Sequence, residues 1–209
     1  MSSKEADVLG AARAFILKEA EAVSNLAAQL DHTFYEAIRR IQAITGKVVT
    51  TGAGTSGIIA ERLAHLLAVT GTPAFHLPSQ DALHGGMGAI TPDDIVIAFS
   101  KGGQSSELTE LVERLGERDI YVIAVTERDD SPFAAAASLV ARVATNPVDA
   151  DPGGLIAMGS TLVAGAWGDA LAEGLMTLSD YAWSDVVHTH PAGIVGQQTA
   201  LPDGTVARS

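Results

Sequence analysis

The chain has 209 residues, 47% of them hydrophobic, enough to bury one substantial core in a single domain. Its formal charge is −12, from 13 basic and 25 acidic residues, and no basic run exceeds Arg39-Arg40, which argues against a nucleic-acid partner. The absence of cysteine excludes disulfides and thiolate chemistry.

Met1 to Asp7 lack the apolar core of a signal peptide, and no run reaches the length of a membrane span. A cytoplasmic protein without a membrane partner is expected.

From Ala6 to Gln29, apolar residues recur at helical period, among them Val8, Phe15, Val23 and Leu26, predicting a long helix with one apolar face. Asp31-His32-Thr33 is placed to cap a second helix carrying Phe34, Ala37, Ile38 and Ile41 and ending before Gly46. Lys47-Val48-Val49 opens a strand that runs into Gly52-Ala53-Gly54-Thr55-Ser56-Gly57, and a helix follows over Ile59 to Leu67.

Ala74 to Leu77 reads as a short strand stopped by Pro78, and Ser79 to Gly88 as a His/Gly-rich loop. Ile95-Val96-Ile97-Ala98-Phe99 is a strand buried on both faces, followed by the loop Ser100 to Glu107 and a helix from Leu108 to Leu115. Ile120 to Val125 repeats the pattern, Ser131-Pro132 opens a short alanine-rich helix, and Leu139 to Val143 reads as the last strand. A Pro/Gly-rich loop over Asn146 to Gly154 then leads to a buried helix from Leu155 to Met176 and a shorter one over Tyr181 to Val187. Strands alternating with helices predict an α/β fold: an open, mainly parallel sheet of about five strands with helices on both faces.

In such sheets ligands bind beyond the carboxyl ends of the strands, where both Gly/Ser loops lie. Gly52, Gly54 and Gly57 allow a sharp turn that exposes N–H groups at a helix start, suiting a phosphate or a sugar hydroxyl. Their spacing also fits the dinucleotide fingerprint, but no acidic residue stands after a second strand about 20 residues on, and Asp81 comes too late. In the second loop Ser100, Ser105 and Ser106 offer hydroxyls, Gly102 and Gly103 offer N–H groups, and Lys101 offers a charge. Ordinary helix capping accounts equally well for Ser105 or Ser106, with Glu107 as a first-turn acid.

Taken together and in order, Gly52 to Gly57, Thr70 to Phe75, Ala82 to Gly88, Ser100 to Glu107, Gly168 to Ala172 and His190 to Gly196 resemble the sugar isomerase (SIS) domain of arabinose-5-phosphate isomerases. The resemblance implies a flavodoxin-like sandwich over residues 46–196. Residues 1–45 would be helices packed on that domain and on a neighbouring subunit, and residues 197–209 a loose tail. It implies an isomerase that interconverts an aldose phosphate and a ketose phosphate through an enediolate, with no metal or nucleotide cofactor. It further implies a homotetramer, a dimer of dimers, with its sites between subunits. No counterpart of the tandem CBS domains that often follow such a domain is expected in this chain.

By position, the resemblance makes Ser100, Lys101, Gly102, Gly103, Gln104 and Ser105 the phosphate cradle and puts Gly54, Thr55 and Ser56 at the sugar site. Glu107, His190, His84 and Asp149 fall on catalytic or site positions, His84 on one that a neighbouring subunit contributes. The arabinose-5-phosphate branch has lysine at Thr55, serine at Gly102 and usually asparagine at Lys101, so Lys101 is expected to restore the charge from the other side of the pocket.

Aldose–ketose isomerisation needs a base for the proton beside the carbonyl and a partner that moves a proton between the enediolate oxygens. Glu107 is the expected carbon base, since a sugar closing over a carboxylate strips its water and strengthens it as a base. His190 is the expected oxygen-proton shuttle or ring opener. His32, His65 and His76 read as ordinary residues, and His84, His188, His190 and Asp149 lack close metal-ligand spacing. The departures leave open another sugar phosphate, such as a hexulose or heptulose phosphate, and a non-catalytic sugar-phosphate binding or sensing module.

Overall fold

The structure is a computed structural model that describes residues 2–204. Helix α1 (Ser3–Leu26) starts at a reciprocal cap: the Ser2 hydroxyl accepts the Glu5 N–H and the Glu5 carboxylate accepts the Ser2 N–H, both at 3.2 Å. One 3-10 turn, Ala27–Gln29, ends it. Asp31 caps α2 (His32–Ala43) by accepting the Thr33 N–H at 2.8 Å.

Alternation then sets in: β1 (Val48–Gly52), α3 (Thr55–Val69), β2 (Ala74–His76), α4 (Ser79–Leu83), β3 (Ile95–Phe99), α5 (Ser106–Gly116), β4 (Tyr121–Thr126), α6 (Pro132–Ala136) and β5 (Leu139–Arg142). Two 3-10 turns, Val148–Ala150 and Pro152–Gly154, lead to α7 (Gly159–Thr177), and α8 (Trp183–His188) follows. The five strands are all parallel, in the order β2-β1-β3-β4-β5.

Alternate strand residues face opposite ways. Ile95, Ile97 and Phe99 join a core with α1, α2, α3 and α7, whereas Val96 and Ala98 join one with α4, α5 and α6. Trp167 of α7 anchors the first core, meeting Phe34 and Phe99 edge-on with ring centroids 6.1 Å away in each case. The N-terminal helices therefore share the core of the sheet domain, through Ala22, Leu26, Ala37, Ile38 and Ile41.

Two elements differ from the sequence expectations. Ser79 to Gly88 contains the five-residue helix α4, followed by a 3-10 turn over Gly86–Ala89, too short for any period to show in the sequence. The helix expected from Leu155 starts at Gly159, because Gly153 and Gly154 take positive φ (65° and 68°) and the Asp151 carboxylate accepts the Met158 and Ser160 N–H groups at 2.9 Å. The tail expected over residues 197–209 is described only to residue 204, where a 3-10 turn over Val195–Gln197 is the last regular element; residues 205–209 and residue 1 lie outside the described residues.

Candidate functional site

The sheet reverses its order between β1 and β3, and the loops at their carboxyl ends face a common cleft. At the first loop, Gly52 and Gly57 touch so closely that a Cβ on either would lie 2.9 Å from backbone atoms of the other. That approach swings the start of α3 over the strand end and brings Thr55 and Ser56 to the cleft wall. Thr55 is exposed, Ser56 half-buried and Gly54 exposed, with φ +57°.

In the second loop, Ser100 and Lys101 line the cleft, with Ser100 buried. Gly103 is buried at φ +61°, and a Cβ there would lie 2.1 Å from Ser131 Oγ. Gly102 and Gln104 are exposed, and Ser105 caps α5 by accepting the Leu108 N–H at 3.4 Å. The hydroxyl read either as a cap or as a ligand contact thus serves as a cap. Gly103→Ala is expected to cost about 1–3 kcal/mol by overpacking against Ser131 and forcing a left-handed residue. Denaturant unfolding checks this, and wild-type stability would show that the loop can move.

The cleft encloses about 430 Å³, open solvent at its mouth included. Besides these loops it is lined by Thr126, Glu127, Ser160 and Thr161 and by apolar side chains such as Phe99 and Val125. Lys101 does not stand there as a lone charge: its ammonium is bound to the carboxylate of Asp151, whose side chain is 1% exposed. Burial pushes the Asp151 carboxyl up, but the Lys101 ammonium, the adjacent Ser160 hydroxyl and the N–H groups of Ser160 and Met158 outweigh it and hold it at about 2. Glu127 accepts the Thr145 N–H at 3.1 Å and the Thr145 hydroxyl. Lys101 and Glu127 are the two charged side chains of the lining, and Asp151 lies buried behind Lys101.

The expected catalytic residues stand elsewhere. Glu107, half-buried in the first turn of α5, accepts the Ser79 hydroxyl of α4 at 2.7 Å. His84, exposed, ends that same α4. Asp149 is exposed and paired with Lys18 of α1 at 2.6 Å, and that ammonium holds its carboxyl below the usual range. His190 follows α8, and its Nδ1 lies 2.6 Å from the Val186 carbonyl. A carbonyl only accepts, so Nδ1 donates, and in the neutral imidazole Nε2 is then the acceptor. Among the described residues no three His, Cys, Asp or Glu side chains cluster as metal ligands would.

The structure thus brings Thr55, Ser56, Ser100 and Lys101 to one cleft and leaves Glu107, His84, His190 and Asp149 off its wall. Asp151 and Glu127 escaped the sequence reading. Glu127 had a signal, for it directly follows β4 at a strand's carboxyl end, the position where ligands gather. Asp151 had a weaker one, an acid preceding Pro152-Gly153-Gly154 and a helix.

A parallel sheet with a cleft over its switch point, glycine turns and a serine loop defines a class of ligand-binding α/β domains. The SIS domain family profile matches residues 43–173, and the chain belongs to that family. It is 34% identical over 199 residues to the arabinose 5-phosphate isomerase KdsD of Pseudomonas aeruginosa PAO1, covering 95% of this chain and 61% of that one. To the arabinose 5-phosphate isomerase GutQ of Escherichia coli K12 it is 35% identical over 189 residues, 90% of this chain and 59% of the other. The chain therefore spans about three fifths of the length of these curated relatives. Among solved structures, E. coli CFT073 c3406 in complex with arabinose 5-phosphate superposes with a TM-score of 0.85 at 32% identity, covering 91% of this chain and all of that one.

Proposed function

We propose that the chain is a phosphosugar aldose–ketose isomerase that interconverts D-arabinose 5-phosphate and D-ribulose 5-phosphate. The observation that carries this reading is the cleft at the carboxyl ends of β1 and β3, edged by the glycine turn and the serine loop, in a chain 32% identical to a protein solved with arabinose 5-phosphate. The phosphate would rest on Ser56, Ser100 and the N–H groups of Gly102, Gln104 and Ser105, the Gly103 N–H being donated to the Ser100 carbonyl at 3.3 Å. Gly54 and Thr55 would border the sugar.

Glu107, in the first turn of α5 just past the serine loop and off the cleft wall, would be the base for the carbon proton of a sugar that extends beyond that wall. The Ser79 hydroxyl takes up its Oε1, which leaves Oε2 for the substrate. His190, with its lone pair on Nε2, would move the proton between the enediolate oxygens. His84, which is exposed, would complete the site from a neighbouring subunit, and Asp149 would stand as a further acid. The apolar side chains of Ile58, Leu155, Ile156 and Leu162 stand exposed on α3, on α7 and before it, and a homotetramer with sites between subunits would cover them. Soluble, cytoplasmic action on a small sugar phosphate, without metal or cofactor, completes the reading.

The neutralisation of Lys101 by Asp151 favours a second reading, a sugar-phosphate binding or sensing module that keeps the pocket without turnover. Incubation of the purified protein with arabinose 5-phosphate and a panel of pentose, hexulose and heptulose phosphates separates the two, with its mass in solution read alongside. Ribulose 5-phosphate formed by a tetramer is expected. Turnover of another sugar phosphate would change the substrate, and binding without any turnover would leave the sensing module.

A further inference from the structure

Glu127 belongs to no part of the mechanism above, yet it lines the same cleft. Its N–H donates to the Lys101 carbonyl at 3.0 Å, so the pairing of β3 with β4 continues beyond both strands and sets these two residues side by side. Thr145 binds only Oε1 of Glu127, by its N–H and its hydroxyl. Glu127 Oε2 has no partner among the described residues. Lys101 commits one of its N–H donors to Asp151 and has others to give. Around them much of the wall is apolar, made by Ile59, Phe99, Val125, Val143, Ala157 and Ala164.

An unspent carboxylate oxygen that shares a half-buried, largely apolar cleft with an ammonium suits a group that donates one hydrogen bond and accepts another. Adjacent oxygens of a hydroxylated carbon chain do both. A phosphate suits it poorly: whatever proton it keeps, its net negative charge opposes that of Glu127 at close range. We propose that Glu127 and Lys101 form a recognition pair for the hydroxylated chain of the ligand, Glu127 Oε2 accepting a hydroxyl and Lys101 donating to its neighbour, with the phosphate held away at the serine loop. Asp151 serves as the positioning residue that fixes Lys101 for this contact. The inference rests on the sugar-phosphate reading of the cleft and does not depend on turnover.

Calorimetric binding of arabinose 5-phosphate and of inorganic phosphate to the full chain and to Glu127→Gln tests it. Glutamine keeps an oxygen for Thr145, and an unchanged melting temperature checks that the loop holds. Arabinose 5-phosphate is expected to bind the variant about tenfold or more weakly, the loss of one charge-assisted hydrogen bond. Inorganic phosphate is expected to bind unchanged or tighter, because a nearby negative charge has gone. Equal weakening of both probes, or unchanged binding of the sugar phosphate, overturns the recognition pair while the ligand class stands. A wild-type protein that binds inorganic phosphate but no sugar phosphate overturns the ligand class and the pair with it.

Discussion

Glu107→Gln is expected to lower kcat for aldose–ketose interconversion by about 100- to 10,000-fold, the range typical of losing a positioned general base, while KM and melting temperature stay near wild type. The reason is local. Glutamine has the same shape and keeps a carbonyl oxygen for the Ser79 hydroxyl, now 2.7 Å from Glu107 Oε1, so the contact between α4 and α5 survives. What is lost is an oxygen able to take a proton from carbon. Solvent deuterium should cease to enter the substrate at the carbon beside the carbonyl, in step with the fall in kcat. A variant with near-normal turnover and exchange would remove Glu107 as the base. Ser79→Ala should act more mildly, within about tenfold, because it removes a partner of the carboxylate and not the carboxylate itself.

Lys101→Met is expected to destabilise the fold by about 3 kcal/mol, since it leaves Asp151 buried and charged without its ammonium. In the wild type the Asp151 carboxyl is held at about 2, below the ordinary 3.8. That stabilisation, about 2 kcal/mol by linkage, is complete above pH 3.8 and is lost as the pH falls through 2. Without Lys101 burial weighs more heavily on the charged form, the carboxyl titrates higher, and stability should start to fall at a higher pH. Adding Asp151→Asn to Lys101→Met should recover part of the loss, because the asparagine oxygen can still accept the Met158 and Ser160 N–H groups. Denaturant unfolding of the three proteins between pH 3 and 7 measures all of this. If the single and double variants are equally stable, Asp151 bears no strain from losing its partner.

The parts of the fold that showed in the sequence are those whose cause is local. Ile95 to Phe99 is uninterruptedly apolar because β3 is covered on both faces, and Asp31 announces α2 because a cap is set by its immediate neighbours. Likewise Gly52 and Gly57 marked a turn that the backbone contact between them requires. The cleft's charges were different: Lys101 and Asp151 meet across 50 positions, so neither residue's surroundings in the sequence reveal the pair. Asp151 also cuts four residues from the expected start of α7, a boundary that apolar density alone set at Leu155. His84, His190 and Asp149 were chosen by resemblance, and in this chain they stand off the cleft wall.

Gln29 lies in the 3-10 turn that ends α1. Its side-chain amide donates to the Ala144 carbonyl at 2.9 Å and its oxygen accepts the Ala144 N–H at 2.8 Å, two residues past the end of β5. A carboxamide there imitates the next rung of a ladder and occupies the groups that an incoming strand would need. The margin just past β5 is thereby closed to an incoming strand at that position.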